Sequence, residues 1–217
     1  MPEFREFPKI PRLFRDVVIT EKLDGTNAAI GIEKFQFGFH VGGVDDEGIC
    51  HDIPKGCTYV MGDITDDGFP YDEYLIWAQS RSRIITAEDD NYGFALWVFV
   101  NAITLVKDLG EGLHFGEWWG SGIQRGYGLK EKRFSLFNVK RLRDYEFKTP
   151  GVSSVPVLSE GPFDTALIGN IIAKLATDGS VAAPGFMRPE GIVVYHTAGN
   201  VLFKATIEKD EEHKGGK

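Results

Sequence analysis

Cysteine is scarce in this chain of 217 residues: Cys50 and Cys57 are the only two. They stand in Cys-His-Asp-Ile-Pro-Lys-Gly-Cys, where a zinc site would need His51 and a further ligand. Two free thiols in a reducing compartment are the simpler reading. No run of about 18 apolar residues is free of charge, which argues against a membrane-spanning helix. The opening residues, Met1 to Asp16, are charged and broken by prolines, unlike a secretory signal. Positive charge is also in deficit. With 24 Lys and Arg against 32 Asp and Glu, the net charge is −8, so the basic footprint usual in non-specific nucleic-acid binding is missing. One segment, Lys130 to Lys148, runs against this balance. It carries Lys130, Lys132, Arg133, Lys140, Arg141, Arg143 and Lys148, and reads first as a solvated strand edge and second as a local phosphate-contacting surface.

There is no internal repeat and no long low-complexity stretch. A hydrophobic fraction of 42% is enough for one substantial core. Short β-like runs occupy Val17 to Thr20, Asn27 to Glu33 and Phe35 to Val41, the last alternating as a half-buried strand does. Val44 to Pro70 is rich in Asp and Gly and reads as turns around one strand, Thr58 to Met61. Asp89, Asp90 and Asn91 offer N-caps to an apolar helix that runs to Leu109, with Gly110 as its stop. Few polar residues mark any face of that helix, so it is expected to be buried. Strands are expected around His114 to Trp118 and Phe134 to Leu142, and a surface loop over Thr149 to Pro162. Asp164 can cap a second helix with Leu167, Ile168, Ile171, Ile172 and Leu175 on one face and Gly179 after its end. Gly191 to His196 and Val201 to Thr206 flank Thr197-Ala198-Gly199-Asn200 as a hairpin. Strands outnumber helices and neighbours are hairpin-connected, which favours an α+β fold with antiparallel sheets. No linker is visible, and residues 1–217 read as one domain.

The segment richest in chemistry is Glu21-Lys22-Leu23-Asp24-Gly25-Thr26-Asn27. Taken alone it is a lysine before an ordinary turn, since Asp-Gly and Thr-Asn are good turn residues. Further elements follow in order: Ser80-Arg81, Phe115-Gly116-Glu117, Gly120-Ser121-Gly122-Ile123-Gln124, Phe134-Ser135-Leu136-Phe137, Glu190-Gly191-Ile192-Val193-Val194 and Phe203-Lys204. This ordered series resembles the ATP-dependent RNA ligases, the nick-sealing RNA ligase branch of the covalent nucleotidyltransferase superfamily, and it spans Lys22 to Lys204.

The resemblance implies a nucleotidyltransferase (adenylation) domain of antiparallel sheets with flanking helices and a nucleotide cleft between them. It implies that the Lys22 amine attacks the α-phosphorus of ATP and forms a lysine–AMP phosphoramidate, with Mg²⁺ or Mn²⁺ as the metal. A lysine amine is ordinarily protonated at neutral pH, and partial burial with nearby positive charge, from Lys204 and the metal, favours its neutral form. By the same resemblance, Glu117 holds the ribose hydroxyls and Phe137 stacks on adenine. Glu190 organises the metal, a carboxylate suiting a hard ion, and Lys204 stabilises charge on the α-phosphate. Arg81 contacts the ribose or the nucleic-acid end, Asn27 touches that end, Asp24 orients the lysine or the metal, and Glu21 belongs with the cofactor-binding residues. Taken one at a time, the same residues also fit plainer roles. Glu117 could be a surface residue, Phe137 ordinary core, and Glu190 with Lys204 a cross-strand ion pair, while Arg83 competes with Arg81 for its role.

Two departures from the family pattern stand out. Its last motif has two lysines one residue apart, whereas here Thr206 follows Lys204 at that spacing, and Lys209 comes later. The thirteen residues after Lys204 leave no room for the separate C-terminal domain that many relatives carry, so a partner protein is expected to supply extra nucleic-acid binding. The expected activity is joining a 5′-phosphate to a 3′-hydroxyl on RNA ends or nicks, away from membranes, in RNA repair in the cytoplasm of a bacterial or phage-infected cell. The alternatives are a DNA ligase or a capping-type guanylyltransferase and, from another class, a non-catalytic nucleic-acid-binding protein on the same scaffold.

Overall fold

A computed structural model describes residues 3–34, 53–61 and 72–208 of the chain. The chain divides into two compact units. Unit 1 is Met1–Leu23 with Val155–Lys217, and unit 2 is Asp24–Ser154. Unit 2 is thus an insertion within unit 1, and its boundaries fall inside ordered sequence, which is why composition shows no linker.

Unit 1 is a four-stranded antiparallel sheet carrying one helix. Its strands are β1 (Asp16–Lys22), β9 (Val157–Pro162), β10 (Gly191–His196) and β11 (Val201–Thr206), in the order β11-β10-β1-β9. The period-2 alternation of β1 and β10 places Val17, Ile19, Ile192 and Val194 on one face, where they pack with Leu175 of α4 (Thr165–Asp178). Ile168, Ile171 and Ile172 join them, as the helical spacing predicts. The Asp164 carboxylate accepts the Ala166 N–H at 2.8 Å, a cap that contributes about 1 kcal/mol. Val18, Thr20, Lys22, Val193 and Lys204 fall on the opposite face.

Unit 2 is built on a larger sheet. It contains β2 (Thr26–Lys34), β3 (Cys57–Met61), β4 (Glu73–Ser80), β5 (Ile84–Ile85), β6 (Gly112–Gly120), β7 (Lys132–Leu136) and β8 (Val152–Ser154). The order is β3-β4-β2-β6-β7-β8, with β5 paired to β4. All pairs are antiparallel except β7 with β8, which is parallel. One face carries Ile30, Ile32, Ile76, Trp118, Phe134 and Leu136 into a core closed by Phe94, Val98, Leu105 and Leu109 from α1 (Phe94–Val100) and α2 (Ala102–Leu109). Phe94 sits at its centre, with ring centroids 5.2 Å from Trp118 and 5.1 Å from Phe134. Burying each such side chain stabilises the fold by about 1.5–3 kcal/mol.

Several sequence expectations change here. The apolar helix is two helices broken at Asn101, whose side-chain amide donates to the Trp97 carbonyl at 2.8 Å. Its start does follow the expected cap, because the Asp90 carboxylate accepts the N–H groups of Ala95 and Leu96. It is not buried all round: Leu96, Phe99, Val100 and Ile103 are exposed. The strand expected over Phe134 to Leu142 ends at Leu136, and the chain turns into α3 (Val139–Leu142) under an Asn138 cap. The loop expected over Thr149 to Pro162 contains β8 and β9. β4 has a strand's composition, in Tyr74, Leu75, Ile76 and Trp77, and sequence reading passed it over. The strand expected over Phe35 to Val41 lies outside the described residues, as do Cys50 and His51. Cys57 is a free, half-buried thiol.

Candidate active site

Lys22 is the last residue of β1 and pairs with Gly191, the first of β10. Glu190 stands immediately before that strand. The register therefore brings the two side chains together, and Lys22 Nζ donates to Glu190 Oε2 at 2.6 Å. Their side chains are 22% and 18% exposed, so the pair is half-desolvated while one side stays open to solvent.

The same register locates Lys204. Lys22, Gly191 and Thr206 form one cross-strand row, and Val193 with Lys204 belong to the next row on that face. Standard strand spacing puts the Lys22 and Lys204 Cα atoms on the order of 12 Å apart. Lys204 is exposed, and among the described residues it has no ion pair. The cross-strand pair with Glu190 is therefore not formed, since Glu190 engages Lys22 instead. Thr206, which stands where the family has a second lysine, donates its hydroxyl to the Glu208 carbonyl at 2.8 Å. Lys209 lies outside the described residues.

Glu21, expected at the nucleotide, has its carboxylate committed elsewhere. It is 1% exposed and points to the other face of β1, away from Lys22, as strand alternation requires. The Ser180 hydroxyl donates to Oε1 at 2.6 Å, and the backbone N–H groups of Val181 and Ala182 each donate to Oε2 at 2.9 Å. Burial raises its pKa above the ordinary glutamate value, against the opposing effect of these hydrogen bonds. Its side chain anchors the loop after α4.

In unit 2 the Asp24-Gly25-Thr26-Asn27 turn is fixed from several sides. Glu117 on β6 lies opposite Asn27. One of its oxygens accepts the Gly25 N–H at 3.0 Å, and the other accepts the Asn27 amide at 2.8 Å. At 7% exposure it is no surface residue. Asp24 donates its backbone N–H to the Tyr127 hydroxyl, and its carboxylate accepts from Arg125 Nε, both at 2.8 Å. The Asn91 amide donates to Thr26 Oγ1 at 3.0 Å. Only glycine fits at position 25, because a Cβ there would lie 2.3 Å from the Trp118 carbonyl oxygen and 2.8 Å from Trp119 Cβ. The turn residues of the motif are thus dictated by packing against β6.

Arg125 and Tyr127 were not identified from sequence. They lie in the loop after β6, where Gly120, Gly122, Gln124, Gly126, Tyr127 and Gly128 all have positive φ. Tyr127 at φ 53° is buried, with its ring edge-on to Trp119 at 4.9 Å, and this strained backbone aims its hydroxyl at Asp24. The signal was the glycine spacing in Gly120-Ser121-Gly122-Ile123-Gln124-Arg125-Gly126-Tyr127-Gly128, a recipe for left-handed turns. Sequence does not say what such a loop folds back upon. Ser180 was missed because nothing local to it marks a partner 159 positions away.

Phe137 follows β7 and is 44% exposed, so it is not ordinary core. Of the two competing arginines, Arg83 makes a two-point ion pair with Asp89. Arg81 is exposed in the same turn and, among the described residues, has no such pair. Much of the basic segment after residue 130 is also structurally engaged. Lys132 donates to the Tyr92 carbonyl, Arg141 to the Leu109 carbonyl and Arg133 to Glu131.

The sequence model of a family described as RNA ligase matches residues 15–206. A lysine-to-alanine variant of the Naegleria gruberi RNA ligase with ATP and Mn is similar at 20% identity and a TM-score of 0.50, covering 92% of this chain and 52% of that one. A lysine-to-methionine variant of the same ligase with AMP and Mn is similar at 21% identity and a TM-score of 0.50, covering 93% and 53%. The chain therefore spans about half the length of these structures, and at this identity the likeness concerns the fold. No curated protein matches the chain.

Proposed function

The chain belongs to the RNA ligase family, and from that premise we propose that it is an ATP-dependent RNA ligase that carries AMP on Lys22. The observation that carries this reading is the half-buried Lys22–Glu190 pair at 2.6 Å, held on the open face of a sheet that also bears Lys204.

In the first step the Lys22 amine forms a bond to the α-phosphorus of ATP, and pyrophosphate leaves with the electrons of the broken P–O bond. The ammonium must first lose a proton, and Glu190 Oε2 is the acceptor in contact with it. Lys204 supplies a fixed positive charge for the phosphate oxygens as charge develops. The Glu117 carboxylate has lone pairs beyond those given to Gly25 and Asn27 and accepts the ribose hydroxyls. The half-exposed ring of Phe137 takes the adenine, and its flat apolar face suits a purine. Asn27 and Arg81 are assigned to the nucleic-acid end, and Asp24, held by Arg125, keeps the turn after the lysine in place.

Among the described residues no group of three or more His, Cys, Asp or Glu gathers to hold a metal ion. A single carboxylate fits an ion such as Mg²⁺ or Mn²⁺ that is bound mainly through substrate phosphates and water. Glu190 would be its protein ligand, and when bound the ion neutralises phosphate charge. AMP then passes to a 5′-phosphate end, and a 3′-hydroxyl attacks that activated phosphate and expels AMP. RNA ends or nicks are the proposed substrate. Because the net charge is −8 and phosphate contacts supply most nucleic-acid affinity, a partner that adds such contacts is part of this reading.

Sealing of a nicked duplex with an RNA 3′-hydroxyl strand, with ATP and Mg²⁺, tests the substrate. The expected result is a joined product. Joining of DNA 3′-hydroxyl nicks alone, or a requirement for GTP, would replace the RNA ligase reading by one of a DNA ligase or a capping-type enzyme.

A further inference from the structure

The face of the unit 2 sheet opposite its core carries an aromatic surface larger than one purine requires. The register defines three successive rows on it. The first holds Glu117 and Asn27, and the second holds Phe115, Ala29 and Gln79, with Phe137 opposite Phe115. The Phe137 N–H donates to the Phe115 carbonyl at 3.0 Å, which continues the β6–β7 pairing by one residue. The third row holds Leu113, Gly31, Trp77 and Cys57.

Three observations on these rows point to a flat, apolar ligand. Phe115 is 52% exposed, although it sits mid-strand in the middle of a sheet, where a large apolar side chain is ordinarily covered. The β2 positions between Phe115 and Trp77 are Ala29 and Gly31, so the floor is almost bare backbone. Gly31 is also indispensable to the arrangement. A Cβ there would lie 2.1 Å from two carbons of the Trp77 indole, so the ring lies over the glycine while remaining part-exposed. Glycine inside a strand marks a close approach of this kind.

We propose that Phe115 and Trp77, flanking the floor of Ala29 and Gly31, form a subsite for one unpaired nucleobase of the substrate strand, continuous with the Phe137 surface. Adjacent strands are about 4.8 Å apart, so the trough above β2 is about two strands wide, room for a single base. Every base has a π-face, so stacking holds a strand with little regard to sequence. This also fits an acidic chain, because stacking supplies affinity that does not depend on positive charge. Gln79, part-exposed at the end of the second row, offers an amide to the base edge. The occupant is identified by continuity: the trough adjoins the Glu117 and Phe137 positions, so its base belongs to the polynucleotide whose end is being activated. The subsite rests on the ligase reading for that identity.

The test measures binding of a single-stranded oligoribonucleotide lacking a 5′-phosphate, by fluorescence anisotropy, alongside labelling of the protein by α-labelled ATP. Trp77→Leu and Phe115→Leu are each expected to weaken the oligonucleotide about 5- to 100-fold, the range for loss of one stacked base. Trp77→Phe should keep most of the affinity, and the covalent label should be unchanged in Trp77→Leu. Unchanged affinity in both leucine variants overturns the subsite, as does a loss of affinity that tracks a loss of label. Should Trp77→Leu fail to fold, the exposed Phe115 decides through its own variant. If no form of the protein takes label, the ligase reading fails, and the anisotropy comparison still decides whether the trough binds a strand.

Discussion

The sheets of the two units use the faces turned away from their cores differently. In unit 1 that face is small and its chemistry is charge: Lys22 with Glu190, and Lys204 in the next row. In unit 2 the corresponding face carries shape and hydrogen bonding. Glu117 and Asn27 brace a turn that Tyr127 and Arg125 grip from a loop, and a surface of Phe115, Phe137 and Trp77 lies alongside. Covalent chemistry needs a nucleophile whose proton can leave, which a lone half-buried ion pair provides. Recognition of a nucleotide needs a surface that does not move, which a densely braced turn provides. The motif Glu21 to Asn27 spans both, and the division between units falls between Leu23 and Asp24.

Substitutions that separate these two roles sharpen the contrast. The largest effect is expected in unit 1. Glu190→Ala should lower the rate of labelling by α-labelled ATP by about 10²- to 10³-fold, the scale for loss of a group acting on the transition state. A reduction under tenfold would remove Glu190 from the chemistry. In unit 2, Glu117→Ala should act on nucleotide binding, weakening apparent ATP affinity on the order of tenfold through lost hydrogen bonds to a charged acceptor. An unchanged ATP dependence would break the assignment of ribose binding to it.

Smaller effects should appear in stability. Gly25→Ala places a methyl against the Trp118 carbonyl, an overpacking expected to cost about 1–3 kcal/mol in denaturant titration. A neutral result would mean that the turn tolerates displacement and is not fixed by β6. The smallest effect concerns Glu21, whose pKa in the folded protein is raised, mainly by burial. In that case the folded state binds more protons than the unfolded state across the interval between the two pKa values. This contribution to stability is therefore fully present below the ordinary value of 4.5 and is lost as pH rises through the higher folded value. Glu21→Gln should remove that slope from the pH–stability profile just above 4.5. A slope that persists unchanged in the variant would show that other groups cause it.

Much of this was legible in the sequence because it is local. The α4 helix, its Asp164 cap and the β10–β11 hairpin follow from spacing over a few residues, and the order of Lys22, Glu117, Glu190 and Lys204 follows from the family pattern. What stayed hidden depends on partners distant in sequence. Nothing near Glu21 says that its carboxylate meets Ser180, and nothing near Tyr127 says that its hydroxyl meets Asp24. The exposed stripe of Leu96, Phe99, Val100 and Ile103 defeated the expectation of a buried helix, since apolar composition alone does not reveal which face meets the core. The strands β8 and β9 were masked by Pro, Gly and Ser residues, which are tolerated at the ends and edges of a sheet.

The most direct test of the central claim is covalent labelling. The protein is incubated with α-labelled ATP and Mg²⁺ and run on a denaturing gel, beside Lys22→Ala. The expected result is an acid-labile label on the wild-type chain that is absent from the variant. A label that survives in Lys22→Ala, or no label on the wild-type chain with any nucleotide or divalent metal, would contradict the account.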